Sequence, residues 1–414
     1  MLLGRVPAAL AHAVLVRADP PDLCLLPGGE SLPPDAPPCR AGVVLPEPPR
    51  VVHLVFSEPV QPIGPGLRII GPDGRRADRG PVSVEGTEVH VAVDARSPGT
   101  YRAVWAVISQ DTHPELGTMA FSVRRTGGII SEGAPPGGPT GAAGAFGTVL
   151  GVFAHALHFS GYALGFGAFS ASWLLGQVRA APPDAVWRMT GTGIALLLLA
   201  EPAAFAAESV ALGAVGGGSD PAVIGAVLDS SFGRVLSQRL AGAILLWVLA
   251  GALRSGALRA AWTVPLLGVG LAFVDGQAAH ATGVRPAWWG LGVNAVHLGA
   301  MGLWGGTLAF VLLSPGAWAR RSGVRRFAVA AGAAAVATGI VMAAQHLTGL
   351  RDLVAGPYGR TLAVKIGAVA LAAGLGWFGV RRQGRRGLII WEAAAMLAVL
   401  LLAGLLVLLR PPVP

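Results

Sequence analysis

The spacing of apolar residues divides the chain into two regimes. Between residues 41 and 123, apolar and polar positions alternate in short runs such as RVVHLVFSEPV, GLRIIGPDG, TEVHVAVD, GTYRAVWAVIS and GTMAFSVRR, separated by Gly, Pro and Asp turns. Successive side chains of a strand point to opposite faces, so a period of two between turn signals predicts half-buried strands. Several at this spacing predict a small all-β sandwich or barrel of Greek-key type. Residues 124–145, rich in Gly and Pro, lose the period and are expected to form a linker.

From residue 146 the alternation gives way to long apolar runs, at about 146–176, 191–215, 235–254, 261–279, 288–313, 327–347, 361–380 and 388–409. Each approaches the roughly 20 residues that cross a bilayer core of about 30 Å. The expectation for 146–410 is an all-α polytopic membrane domain of about eight transmembrane helices. Composition agrees, because only 13% of the 414 residues are charged while 53% are hydrophobic.

The formal net charge of +9 does not redirect this reading to nucleic acid, because most of the basic residues sit in short loops between apolar runs. With the β domain outside, the cytoplasmic loops carry Arg179, Arg188, Arg254, Arg259, Arg320, Arg321, Arg325, Arg326, Arg381, Arg382, Arg385 and Arg386. The opposite loops hold mainly Arg234, Arg285, Arg351 and Arg360. That asymmetry predicts a plasma-membrane protein with its β domain extracytoplasmic and no nucleic-acid partner. Ala9 and Ala11 fit a signal-peptidase site, so the first 11 residues read as a truncated leader whose cleavage after Ala11 would leave His12 at the N-terminus. In an exported segment Cys24 and Cys39 would close a loop of about 15 residues, worth on the order of 3 kcal/mol if bonded.

Metal-binding side chains inside a bilayer are costly, so their positions carry information. His155 and His158 lie in the first span, His280 and His346 at the outer ends of the fourth and sixth, and His297 partway down the fifth. His155 and His158 are three apart; His297 with Met301, and Met342 with His346, are four apart, so each pair shares a helix face. Imidazole with thioether suits copper, above all copper(I). Two other readings stay open: each histidine bonds a neighbouring helix, or a pair such as His158 and His297 ligates haem. Glu201 and Glu208, seven apart in the second span, either accompany a cation or proton or pair with a buried arginine such as Arg239. Glu392 is expected to meet a loop arginine, and His53 and His90, on alternating strands, to face solvent. Asp111–Thr112–His113, taken alone, is a polar turn or half of a metal site.

The stretch VHLVFSEPV at 52–60, with GTYRAVWAVISQDTHPELGTMAFSV at 99–123, resembles the CopC-like extracytoplasmic copper-binding domains across most of residues 12–123. The stretches DSSFGRVLSQRLAG at 229–242, GQAAHATG at 276–283, HLGAMGLWGGTLAF at 297–310 and DLVAGPYGRTLAVKIG at 352–367 resemble CopD-like copper-transport membrane domains. The likeness implies a natural fusion of the two. It also implies copper(II) ligation by the amine and imidazole of His12 with Asp111 and His113, nitrogen and oxygen donors that copper(II) accepts in a tetragonal arrangement. Met119 is the only methionine of the β domain, so the methionine-rich copper(I) sites of some relatives are missing.

The expected function is copper homeostasis by capture outside and transport inward, not catalysis. The implied partners are copper ion, the lipid bilayer and a periplasmic or extracellular copper chaperone. Its rivals are a haem-bearing membrane protein that reduces copper, sequestration for resistance without uptake, and a sensory membrane protein with a β receptor. The chain carries neither a Gly-rich lysine loop nor a phosphorylated-aspartate motif, which speaks against an ATP-driven pump.

Overall fold

A computed structural model describes residues 13, 15–21, 43–108, 114–126, 142–176, 184–213, 221–278, 286–313, 322–381, 386–409 and 411–412. The chain divides into two units: residues 1–146 with 209–234, and residues 147–208 with 235–414.

Among the described residues, the first unit holds eight strands: β1 (Leu15–Asp19), β2 (Val43–Leu45), β3 (Val51–Phe56), β4 (Gln61–Ile70), β5 (Asp78–Glu85), β6 (Glu88–Val93), β7 (Gly99–Ile108) and β8 (Pro114–Val123). They form two four-stranded sheets, ordered β1-β3-β6-β5 and β2-β8-β7-β4. Alternation does what it predicts: Val52, Leu54 and Phe56 of β3, Val89 and Val91 of β6, and Tyr101, Ala103, Trp105 and Val107 of β7 all point inward to one core shared by both sheets. Phe56 and Trp105 meet across the sheets edge to face, with ring centres 6.4 Å apart. Tyr101 stacks on Phe121 at 5.5 Å and donates its hydroxyl to the Ser97 carbonyl at 2.9 Å, so a buried aromatic keeps its polar end bonded.

Three strands escaped the sequence pattern. β1 precedes the alternating region, β2 is only three residues long, and β5 is an edge strand without a clean inside and outside. β2 also runs parallel to β8, whereas the other described strand pairs are antiparallel. The segment 209–234 groups with the β unit instead of the helices: the helix Pro221–Asp229 packs on β4, and the Ser231 N–H donates to Gln61 Oε1 at 3.1 Å.

Asp78, at the start of β5, ties β4 to β5. It accepts from the Ile69 N–H at 3.0 Å and from Arg76 Nη2 at 2.5 Å. Burial pushes its carboxyl up, but the bonds from Arg76 and Ile69 outweigh that, and the group sits below the ordinary carboxylate range. Its contribution to stability is therefore present above the ordinary carboxylate value and lost as pH falls through the lowered one.

Among the described residues, eight helices are long and apolar enough to cross a membrane: Ala145–Leu174, Asp184–Val210, Ser231–Arg254, Leu258–Ala278, Ala287–Leu313, Ser322–His346, Pro357–Gly379 and Gly387–Leu408. We refer to them as the first to eighth spans. The second begins at Asp184 rather than near 191, because its polar first turns also carry Val186 and Met189, both fully buried in the bundle. The first span contains a π-helical segment, Ala163–Gly167. Here backbones touch: a Cβ on Gly193 would come 2.2 Å from the Gly165 nitrogen, and one on Gly167 2.0 Å from the Gly302 carbonyl. Small residues at these crossings let the first span lie directly against the second and fifth.

Gly117 ends the D-x-H-P-x-x-G run and pairs with Trp105 across β7 and β8. A Cβ there would fall 2.0 Å from Trp105 Cζ2, so the indole lies flat on the position the side chain would need. Gly117→Ala is expected to destabilise the β unit by about 1–3 kcal/mol, the range for overpacking. Chemical denaturation followed by tryptophan emission measures it, and an unchanged midpoint would remove the steric reading.

Candidate metal-binding residues and a buried polar cluster

Strands β7 and β8 pair from Gly99↔Val123 to Ile108↔Pro114, so residues 109–113 connect two paired strands of one sheet. Asp111 and His113 belong to that connection and, with His12, Cys24, Cys39 and His280, lie outside the described residues.

In the helical unit four buried ionisable residues from the first four spans form a cluster. His158 Nδ1 donates to Glu201 Oε1 at 2.7 Å, and His158 Nε2 donates to Asp275 Oδ2 at 3.1 Å. Arg239 Nε donates to Asp275 Oδ1 at 2.6 Å. All four residues are buried, none more than 7% exposed. Carboxylates only accept, so both imidazole bonds exist together when each ring nitrogen carries a proton. Two cations then face two carboxylates, and charge-assisted bonds replace the missing water. The arrangement is in series, with the imidazole between the acids; the donors do not converge on a point. Accordingly, no group of three or more His, Cys, Asp or Glu among the described residues is arranged to hold a metal. Haem ligation by His158 would require displacing a carboxylate.

Arg239 thus pairs with Asp275, while Glu201 pairs with His158. Sequence reasoning passed over Asp275, although a lone carboxylate in the run TVPLLGVGLAFVDGQA was signal enough, because such a residue is expensive in a bilayer. Glu201 Oε2 is buried without a hydrogen-bond partner among the described residues. Pro202 follows it inside the helix and has no N–H, so the Leu198 carbonyl loses its in-helix donor. At this level the second span holds a surplus of acceptors.

The other described histidines of the spans, His155, His297 and His346, share one feature. Nδ1 of His155 donates to the Gly151 carbonyl at 2.9 Å, Nδ1 of His297 to the Ala335 carbonyl at 3.0 Å, and Nδ1 of His346 to the Met342 carbonyl at 2.7 Å. A carbonyl only accepts, so in each neutral ring the lone pair belongs to Nε2, the tautomer that metal-ligating histidines adopt when a carbonyl holds the other nitrogen. His155 lies against Gly404 of the eighth span, whereas His158 looks to the second and fourth, so these two neighbours serve different partners. Met301 is half-buried beside the core cluster of the fifth to eighth spans, and Met342 is half-buried on the sixth. Glu208 is half-buried, and Glu392 takes a hydrogen bond from Trp304, a partner inside the bundle, where a loop arginine was expected.

A two-sheet β unit followed by eight apolar helices defines a multi-pass membrane protein with an all-β domain at its N-terminal end. The CopC domain model matches residues 38–124. Copper resistance protein C of Xanthomonas campestris pv. juglandis is 33% identical over 87 residues, covering 18% of this chain and 67% of that protein. Through this domain the chain belongs to the CopC family. Copper transport protein CutJ of Bacillus subtilis (strain 168) is 26% identical over 404 residues, covering 88% of this chain and 72% of its own length. The crystal structure of CopC from Methylosinus trichosporium OB3b matches at 20% identity and a TM-score of 0.21, over 27% of this chain and 93% of that one.

Replacing Asp275 by alanine leaves Arg239 buried without a counter-charge, which should cost about 3–5 kcal/mol. Thermal unfolding of the detergent-solubilised chain measures the loss. The pair Arg239→Met with Asp275→Leu should recover most of it, and failure of that rescue would contradict a simple charge balance.

Proposed function

We propose that this protein captures copper(II) outside the plasma membrane on its β domain and passes copper inward through its helices. The observation that carries the proposal is likeness to a copper transport protein running through both units of one chain, at 26% identity over 404 residues. Within the matched CopC segment, Asp111 and His113 supply the donors that the family resemblance assigns to copper(II), completed by the amine and imidazole of His12.

The helices continue the path with softer donors. His297 with Met301 and Met342 with His346 offer imidazole and thioether on shared helix faces, and His155 and His280 extend the set. His158, expected on this path, is held at both ring nitrogens by Glu201 and Asp275 and leaves it. The Nδ1-bonded rings of His155, His297 and His346 support this role, since each directs its lone pair to Nε2. Arginine-rich loops on one side support an extracytoplasmic β domain, and hence a direction from capture to cytoplasm. Copper is cargo in this scheme and no bond of a substrate is made or broken.

His113→Ala should weaken copper(II) binding by more than about 100-fold, because losing even an outer-shell partner costs about 10–100-fold. Equilibrium titration against a competing chelator reads this, and an unchanged affinity would remove the capture step. In copper-limited medium, cells lacking the protein should hold less copper than cells that have it. Higher copper content in the deletion strain would instead assign the protein to resistance.

A further inference from the structure

The connection between the second and third spans is fastened to the β unit at one specific place. Residues 209–234 group with that unit, although the chain enters them from one span and leaves them into the next. Within them the helix Pro221–Asp229 packs on β4, the edge strand of the sheet β2-β8-β7-β4. Ser231, the first residue of the third span, donates its N–H to Gln61 Oε1 at 3.1 Å. The first N–H groups of a helix find no acceptor inside it, and here a side chain 170 residues earlier in the sequence supplies one. The corner before the span is tight. Ser230 Oγ accepts the Gly233 N–H at 3.3 Å and donates to the Val227 carbonyl at 2.6 Å, and a Cβ on Gly233 would fall 2.1 Å from the Leu228 carbonyl oxygen. Whatever holds this corner also holds the first turn of the third span.

Gln61 also stands in a row that reaches the proposed capture motif. It pairs with Ile108, and Ile108 pairs with Pro114. At Ile108 and Pro114 the 109–113 connection, which bears Asp111 and His113, leaves β7 and enters β8. Neighbouring strands stand about 4.7–4.9 Å apart, so both ends of that connection lie within about 10 Å of Gln61. Two strand pairings and one hydrogen bond thus link the motif-bearing segment to the first residue of a membrane helix, in the order Pro114, Ile108, Gln61, Ser231.

We propose that Gln61 is a positioning residue for copper transfer: through Ser231 it holds the capture motif beside the start of the third span, where copper passes from the β domain to the helices. This rests on the capture-and-transport reading above and adds to it the place of handover. A flexible tether alone would keep donor and receiver at an effective concentration in the millimolar range; fastening also fixes their orientation, which a step between two sets of ligands needs. The bond asks of residue 61 an acceptor and nothing else, since the Ser231 N–H only donates. A carboxylate meets that demand as well as an amide and is favoured at a helix N-terminus, whereas an apolar side chain leaves the N–H without its partner.

The test uses the full chain in proteoliposomes supplied with copper(II) sulfate, with total copper inside measured over time. Gln61→Leu, similar in size but without an acceptor, should slow copper entry at least tenfold while copper(II) affinity and the midpoint of chemical denaturation stay unchanged. Gln61→Glu, which restores an acceptor, should recover most of the rate. Amide hydrogen exchange supplies a readout independent of copper: the first turn of the third span should exchange faster in Gln61→Leu and as in the unsubstituted chain in Gln61→Glu. Undiminished entry in Gln61→Leu overturns the positioning role, and so does a fall in affinity or midpoint that matches the fall in rate, because the residue then serves only the β fold. Unchanged exchange in Gln61→Leu overturns the fastening itself. Failure of the capture reading is seen separately, as a copper(II) affinity indifferent to His113→Ala.

Discussion

A bilayer core has no water to offer an ionised side chain, and the helical unit meets that constraint with a chain of opposite charges running Glu201, His158, Asp275, Arg239. Each member comes from a different one of the first four spans, so satisfying the charges also determines which helices are neighbours. Packing then follows the contacts this imposes. Glycines at the crossings of the first span allow backbone to approach backbone, and Tyr162, one turn beyond His158, donates its hydroxyl to the Gly268 carbonyl of the fourth span at 2.9 Å. The fifth to eighth spans hold together differently, around an apolar cluster of Ala300, Trp304, Leu308, Ala335, Ala372 and Met396.

The β unit solves the opposite problem. Its backbone groups are paired within two sheets and its core is an ordinary aromatic and branched-chain interior, so polar residues are free to occupy the outer faces and the connections. The glycine that closes the D-x-H-P-x-x-G run serves this interior: it makes room for Trp105 and thereby anchors the strand that follows the motif.

Much of this architecture was legible in the sequence because two periods carry it. Strict alternation marked β3, β6, β7 and β8, and unbroken apolar runs marked the eight spans. Where no period exists, nothing could be read: β2 is too short for one and β5 lies at an edge. Partnerships were harder still. The glutamate at 201 was seen but not its histidine, and Asp275 was missed, because pairing among four helices depends on rotations that a one-dimensional pattern does not contain. The pairing of Gln61 with Ile108 likewise needs the register of β4 against β7, which the alternation of either strand leaves undetermined.

The π segment at Ala163–Gly167 acts as a phase shifter. Inserting one residue advances a helix by about 100°, so the half of the first span that carries Phe169 and Ala171 is turned relative to the half that carries His158. One helix thereby addresses two sets of neighbours. A lineage that lost a single residue there would keep its ionic centre while turning the buried Phe169 and Ala171 away from their present neighbours, which makes this five-residue stretch intolerant of length change even where it would accept new side chains.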